Sequence, residues 1–448
     1  MKLLARIATL ALLSLMAVSL LIAQTKPSPT AAAQKQLIGG GLGLTRIDTA
    51  TYFLFNFAPE LSFGKLGIGL DVNLRVSTDG KIRKEDWDEG YDYLRMIRYV
   101  RWGLKRDPLY IRAGILDYSR LGHGFIIYNY RNTASYDLRK IGFEFDMDFE
   151  KFGFESMYSD IGGSGLFGAR GYVKPLKFTK LASVPIIGGF EVGATYASDF
   201  NDDANKTWGL NDNRGRVRTA QDGGSLSIIG LDVGLPLLSL SVLSSTLYAD
   251  FAKIAGYGSG TAVGIDLNFS GLGLVTLGAK YERRWTGDQF VASYFGPLYE
   301  RERYSLRDTL FQSKAQLLRN VKKSEGYYGE LVIGILGKFN LTGGYQSPVG
   351  VKNAGILHLE FDPGDVIPGI VLSMGYDKRN VGRVFKLDDN SLAYMQVGYK
   401  PYPFMVVSML YQWTFTEEKQ KQPDGSEKVV GYKSQRRIEP KVGFVFSF

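Results

Sequence analysis

From Leu37 onward apolar and polar residues alternate with a period of two, and this constrains the fold of the 448-residue chain more than any other feature. In LGIGLDVNLRVS, Leu70, Val72, Leu74 and Val76 share one face while Asp71, Asn73 and Arg75 share the other. In IGFEFDMDF, Phe143, Phe145, Met147 and Phe149 oppose Glu144, Asp146 and Asp148. VTLGAKYERRW repeats the pattern, with Val275, Leu277, Ala279 and Tyr281 against Lys280, Glu282 and Arg284. A helix would scatter those charges around its circumference, whereas a strand puts them on one side.

Alternation alone does not choose between a soluble sheet and a membrane. Strand length does: the segments run to about ten to fourteen residues, what a tilted strand needs to cross a hydrocarbon layer, against the usual five or six. Their connections also alternate in kind. Turns near Gly64, 105–108, Glu150, Pro236, Gly271, Gly337 and 400–403 are short, and those at 177–187 and 363–368 are moderate. The long connections 78–91, 118–138, 200–223, 286–325 and 417–434 all fall on the opposite side. The expected fold is all-β, a closed antiparallel transmembrane β-barrel of about twenty strands over 37–448, with eighteen or twenty-two as alternatives.

Composition agrees: Gly 54, Tyr 27 and Phe 27 suit strands and interfacial aromatic girdles. A mean hydropathy of −0.09 excludes a helical membrane protein but not a barrel, whose lipid-facing and lumen-facing residues average out. The absence of cysteine excludes a disulfide scaffold, thiolate zinc sites and a lipid-modified cysteine.

Lys2 and Arg6 followed by the apolar run Ile7 to Ala23 read as a secretory signal peptide over 1–23, with 24–36 as a periplasmic linker. Taking Lys2 and Arg6 from 54 basic residues leaves 52 against 45 acidic ones, a balance of +7. Export makes nucleic acid an unsuitable partner for this excess, and anionic headgroups or solutes suitable ones.

The terminal KVGFVFSF places Val442, Phe444, Phe446 and Phe448 on one strand face. This resembles the terminal signature of bacterial outer-membrane β-barrel proteins, a porin-like superfamily. The resemblance covers eight residues. It implies residence in the outer membrane of a Gram-negative envelope, insertion by the barrel assembly machinery, and outer-membrane lipids and lipopolysaccharide as neighbours. Strand patterning that begins near Leu37 disfavours TonB-dependent transporters, which place a plug domain before the barrel, and residues 24–36 form no convincing hatch of the fatty-acid transporter kind.

Catalytic chemistry is thinly provided for. The two histidines are His123, in a connection on the long-loop side, and His358, facing the lumen beside Glu360. Neither has a nucleophile motif near it, so ordinary hydrogen bonding is the simpler reading. No phosphate-binding glycine loop or metal-ligand cluster appears, and no cofactor is expected; the trio Glu144, Asp146 and Asp148 reads as solvated lumen charge before it reads as a calcium site. The expected pore lining is Arg75, Arg95, Arg101, Arg112, Glu144, Asp146, Asp148, Lys280 and Arg284, with Asp71 and Glu282 among the opposing acids. A wall so charged suits a hydrated lumen. In the longest connection, 286–325, TLFQSKAQLL is expected to be helical, with Leu310, Leu317 and Leu318 on an apolar face, and to fold over or into the pore. The expected function is passive, mildly anion-preferring diffusion of small hydrophilic solutes. The alternatives are a surface-binding anchor acting through its loops, or a transporter of hydrophobic compounds.

Overall fold

The computed structural model describes residues 37–448 except 89, 106, 134–139, 211–216, 222–223, 272–273, 308–309, 337–338, 365–366, 422–426 and 448. The signal peptide and linker expected over 1–36 lie outside the described residues. The barrel strands are β1 Leu37–Ile47, β2 Ala50–Phe63, β3 in two segments Leu66–Leu70 and Val72–Ser77, β4 Ile97–Trp102 and β5 Leu109–Gly114. Next come β6 Gly142–Asp148, β7 Phe152–Tyr158, β8 Leu166–Val173, β9 Glu191–Asp199 and β10 Leu226–Ser239. Then follow β11 Leu243–Ile254, β12 Ser259–Gly271, β13 Val275–Thr286, β14 Ser324–Ile335 and β15 Phe339–Pro348. The last five are β16 Ile356–Asp362, β17 Ile370–Arg379, β18 Ser391–Tyr402, β19 Met405–Lys421 and β20 Glu427–Ser447.

Each strand pairs antiparallel with its sequence neighbours, and β1 closes on β20 from Leu37 opposite Ser447 to Ile47 opposite Arg437. Closure leaves no sheet edge, which a hydrocarbon environment demands because it offers no partner for an unpaired N–H or C=O. β3 breaks at Asp71, whose N–H donates to the Met96 carbonyl at 2.7 Å, while its carboxylate accepts from Asn56 and Asn73.

The outward face is apolar. Phe53, Phe55 and Phe57 on β2, Ile229, Leu231 and Val233 on β10, and Leu277 and Tyr281 on β13 are all exposed, which is tenable only against lipid. Aromatic rings gather at both rims. At the short-turn end Tyr402, Phe404 and Phe446 stack at centroid separations of 5.6 and 6.0 Å. At the long-loop end Tyr281 and Tyr327 stack at 6.0 Å beside the exposed Trp285.

Inside, the barrel is not simply water-filled as its charged wall suggests. The β5–β6 connection, expected as an outer loop over 118–138, turns into the barrel, and the β13–β14 connection packs against it. The two are joined by a parallel bridge between Ile127 and Phe295, with the Tyr128 N–H donating to the Phe295 carbonyl and the Ser293 N–H to that of Phe125. The run Phe125, Ile126, Ile127 supplies the reason. Burying such side chains is worth roughly 1.5–3 kcal/mol each, and towards the long-loop end the inward faces of β10–β12 meet them with Leu226, Ile228, Ala252, Ile254 and Ala262. Phe290, Phe295, Tyr299 and Leu318 complete one dry cluster.

Several expectations need correction. Arg95 is not on a strand: Gly90–Met96 is a 3-10 turn at the long-loop end, where Arg95 pairs with Asp92. The stretch expected to be helical begins as strand Leu310–Ser313, and only Lys314–Leu317 is α-helical, capped by the Ser313 hydroxyl accepting from the Gln316 N–H. That strand joins Thr207–Leu210, Val217–Gln221 and Tyr304–Arg307 in a separate four-stranded sheet, so the connection expected over 200–223 carries two strands. The expected loop 417–434 largely continues β19 and β20. Phe448 lies outside the described residues.

Candidate functional site: the lumen and its plug

The two inward connections form a plug whose apolar side faces β7–β12 and whose polar side is clamped to the wall by buried ions. Glu300 accepts hydrogen bonds from the Tyr130 hydroxyl at 2.6 Å, Lys140 at 2.8 Å and Arg303 at 2.9 Å. Arg303 also donates through Nε to Asp199 at the end of β9, at 2.7 Å, and Asp199 accepts from Tyr299 at 2.6 Å. Burial pushes the Glu300 carboxyl up, but Arg303 and Lys140 outweigh it and hold the group down at about 2. Buried ions at this density are tenable only because each lies against an opposite charge.

A second set of contacts fixes the tip. Lys280 donates to the His123 carbonyl and pairs with Glu282, which also holds Arg284 and the Tyr248 hydroxyl. The His123 ring stacks on Tyr248 at 4.0 Å and faces Asp250 at 3.4 Å. On the opposite wall Arg131 lies over Tyr118 at 4.2 Å, 3.8 Å from Asp377 and 3.9 Å from Glu360. Asp377 accepts from His358 Nδ1 at 2.6 Å.

Towards the short-turn end the plug stops. A cavity of about 350 Å³ opens there, lined by Lys105, Arg120, Asp146, Glu155, Arg170 and Glu191 among others. Arg170 binds Asp232 through two nitrogens at 2.9 and 2.6 Å and Glu191 at 2.7 Å. Lys105, in the β4–β5 turn, sits between Glu144 at 3.3 Å and Asp146 at 3.5 Å; burial opposes its charge, but those carboxylates outweigh it and raise its pKa.

The wall of β1–β5 with β18–β20 is polar, and at mid-depth Asn56, Asp71, Asn73, Gln396 and Lys441 are only partly buried. Asn56 donates to Asp71 and Asn73 at 3.0 Å and accepts from Lys441 at 3.3 Å, and Gln396 donates to Ser408. Near the short-turn end Arg98, Arg101 and Arg112 surround one ring, Tyr99, at 5.4 to 5.9 Å, with Glu60 as the carboxylate accepting from Arg98 and Tyr99. Above this half, Arg75 is buried between Asp86 at 3.0 Å and Glu439 at 3.5 Å.

The residues named from the sequence therefore divide. Arg101 and Arg112 border the partly open half. Asp146 and Asp148 line the cavity and Glu144 lies next to them along β6, while Arg75, Lys280 and Arg284 are locked in buried pairs and Arg95 belongs to the 3-10 turn at the long-loop end. On the terminal strand Val442 and Phe444 are half-buried and Phe446 is exposed on the outward face. The clamp residues Asp199, Glu300, Arg303, Arg131 and Asp377 do not stand out in the sequence, because they belong to different connections and strands. Their one local signal is charge embedded among aromatics, as in YERERY.

No protein-family model matches the chain, and no curated protein does. Among solved structures it aligns with a ferric enterobactin receptor of Pseudomonas aeruginosa at 10% identity and a TM-score of 0.36, over 93% of this chain and 82% of that one. It aligns with the Pseudomonas aeruginosa protein OccK11 at 10% identity and 0.28, over 92% and 95%. Wzi of Escherichia coli, a carbohydrate-binding β-barrel involved in group 1 capsule assembly, aligns at 12% identity and 0.35, over 97% and 95%. At these scores nothing about function passes from them to this chain.

Proposed function

We propose that the protein is an outer-membrane channel for passive diffusion of small hydrophilic solutes, narrowed by its two inward connections and mildly selective for anions. The observation that carries this reading is the partly buried polar wall of β1–β5 and β18–β20 beside the plug, with three arginines around Tyr99 against Glu60. Hydrated polar side chains ease the entry of polar solutes, and fixed cations enrich anions near them.

A second reading, a barrel that anchors surface-binding loops, is favoured by the dry cluster and buried clamps on the other side. A planar bilayer separates the two. The channel reading expects stable ohmic steps, with a reversal potential under a salt gradient displaced towards that of the anion. A silent barrel would sink it, and a cation-selective reversal potential would remove the anion preference alone.

A further inference from the structure

Between the plug and the wall of β15–β17 lies a separate cavity of about 50 Å³, bounded by Tyr128, Pro297, Leu298 and Ile356 on its apolar sides. Three polar groups reach it without spending their hydrogen-bonding capacity. Asn129 is buried, yet its amide has no partner among the described residues. His358 is also buried; Nδ1 is engaged by Asp377 and Nε2 has no partner among the described residues. Arg379 gives one terminal nitrogen to Glu302 and has further N–H groups to offer.

Charge at this spot is unbalanced in a particular way. Lys314 and Arg379 both converge on Glu302, at 2.9 Å from Lys314, so two cations, Lys314 buried and Arg379 partly exposed, share one carboxylate. Burial and the adjacent Arg379 hold the Lys314 ammonium down at about 8 in spite of Glu302. Lys378 does not add to the excess, since it is occupied by Asp388 at 2.9 Å, nor does Asp377 relieve it, since it lies against His358 and Arg131. A pair of cations short of one anion, one buried and one largely so, beside an idle amide, suits an anion with bidentate acceptor geometry.

We infer that this cavity binds a small organic monocarboxylate, its carboxylate between Arg379, Lys314 and the Asn129 amide and its short apolar body against Leu298, Pro297 and Ile356. The inference does not require that the ligand cross the membrane. His358 Nε2 is left to accept from a hydroxyl on the ligand, or to donate when the ring is protonated.

Calorimetric titration of the purified full chain in detergent with propionate tests this, with 1-propanol and inorganic phosphate as comparison probes. Saturable propionate binding is expected, with 1-propanol and phosphate at least about tenfold weaker. Asn129→Asp places a carboxylate in the cavity without removing any existing hydrogen bond, and aspartate tolerates the left-handed backbone at φ 51 there. It should weaken propionate at least about tenfold, and Leu298→Trp, which fills the apolar side, should do the same. Circular dichroism and heat-modifiable mobility identify variants that fail to fold. Equal binding of 1-propanol or phosphate overturns the ligand class; absence of propionate binding, or binding unchanged in both folded variants, overturns the site.

Discussion

At the residue scale the molecule is governed by how buried charges are answered. Glu300 is the clearest case, since three donors from the two inward connections meet on it. Glu300→Gln leaves Arg303 and Lys140 without its charge, and removing one partner of a buried pair costs about 3–5 kcal/mol. The expected result is faster hydrogen exchange in the plug segments 116–132 and 290–304, with the barrel strands unaffected. The pH dependence follows in sign. The carboxyl is depressed from 4.5 to about 2 in the folded plug, so its contribution is complete above about 4.5 and lost as pH falls towards 2. Protection of the plug amides, taken relative to their intrinsic exchange rate at each pH, should therefore fall across that window in the wild type, and Glu300→Gln should remove the part due to this group. An unchanged profile in the variant would show that Glu300 does not set it.

At the scale of elements, the inward connections decide how much of the barrel is open. Ala315 on the helix Lys314–Leu317 and Leu318 after it join Phe295 and Tyr299 of the same connection in one apolar cluster, and Arg303 ties that connection to Asp199 at the β9 end. Deleting 300–320 removes Glu300, Arg303 and Leu318 together, and is expected to raise single-channel conductance severalfold by releasing the β5–β6 connection from one side. Unchanged conductance would mean that this connection does not narrow the path. The conformation of this connection is only half legible in the sequence. Leu318 is buried as an apolar-face residue should be, but the run before Lys314 is extended, because Leu310–Ser313 pairs with Thr207–Leu210 from a connection about a hundred residues away. Helical periodicity over ten residues cannot register a competing strand partner that distant.

For the whole molecule, the closed sheet and its apolar exterior settle the setting. Leu231 is 60% exposed and sits across from Phe251, which is also exposed. An arginine there, at mid-belt, should cost about 2–4 kcal/mol of stability in vesicles. Equilibrium urea unfolding from lipid measures it, and a cost near zero would place that face out of contact with hydrocarbon.

By itself the sequence determined the barrel: period-two alternation, strand length and connection parity are local properties, and lipid outside leaves a backbone no alternative to closure. Phe143, Phe145 and Met147 against Glu144 and Asp146 already specify which face is which. Only the tertiary structure decided what fills the lumen. Inward residues look alike in sequence whether they meet water or a plug, so Arg101 and Lys280 are indistinguishable there, although one borders the partly open half and the other is buried against Glu282. The contacts that separate them join residues such as Tyr130 and Glu300, 170 positions apart, and no local pattern carries a pairing between two loops that meet only once the barrel around them has closed.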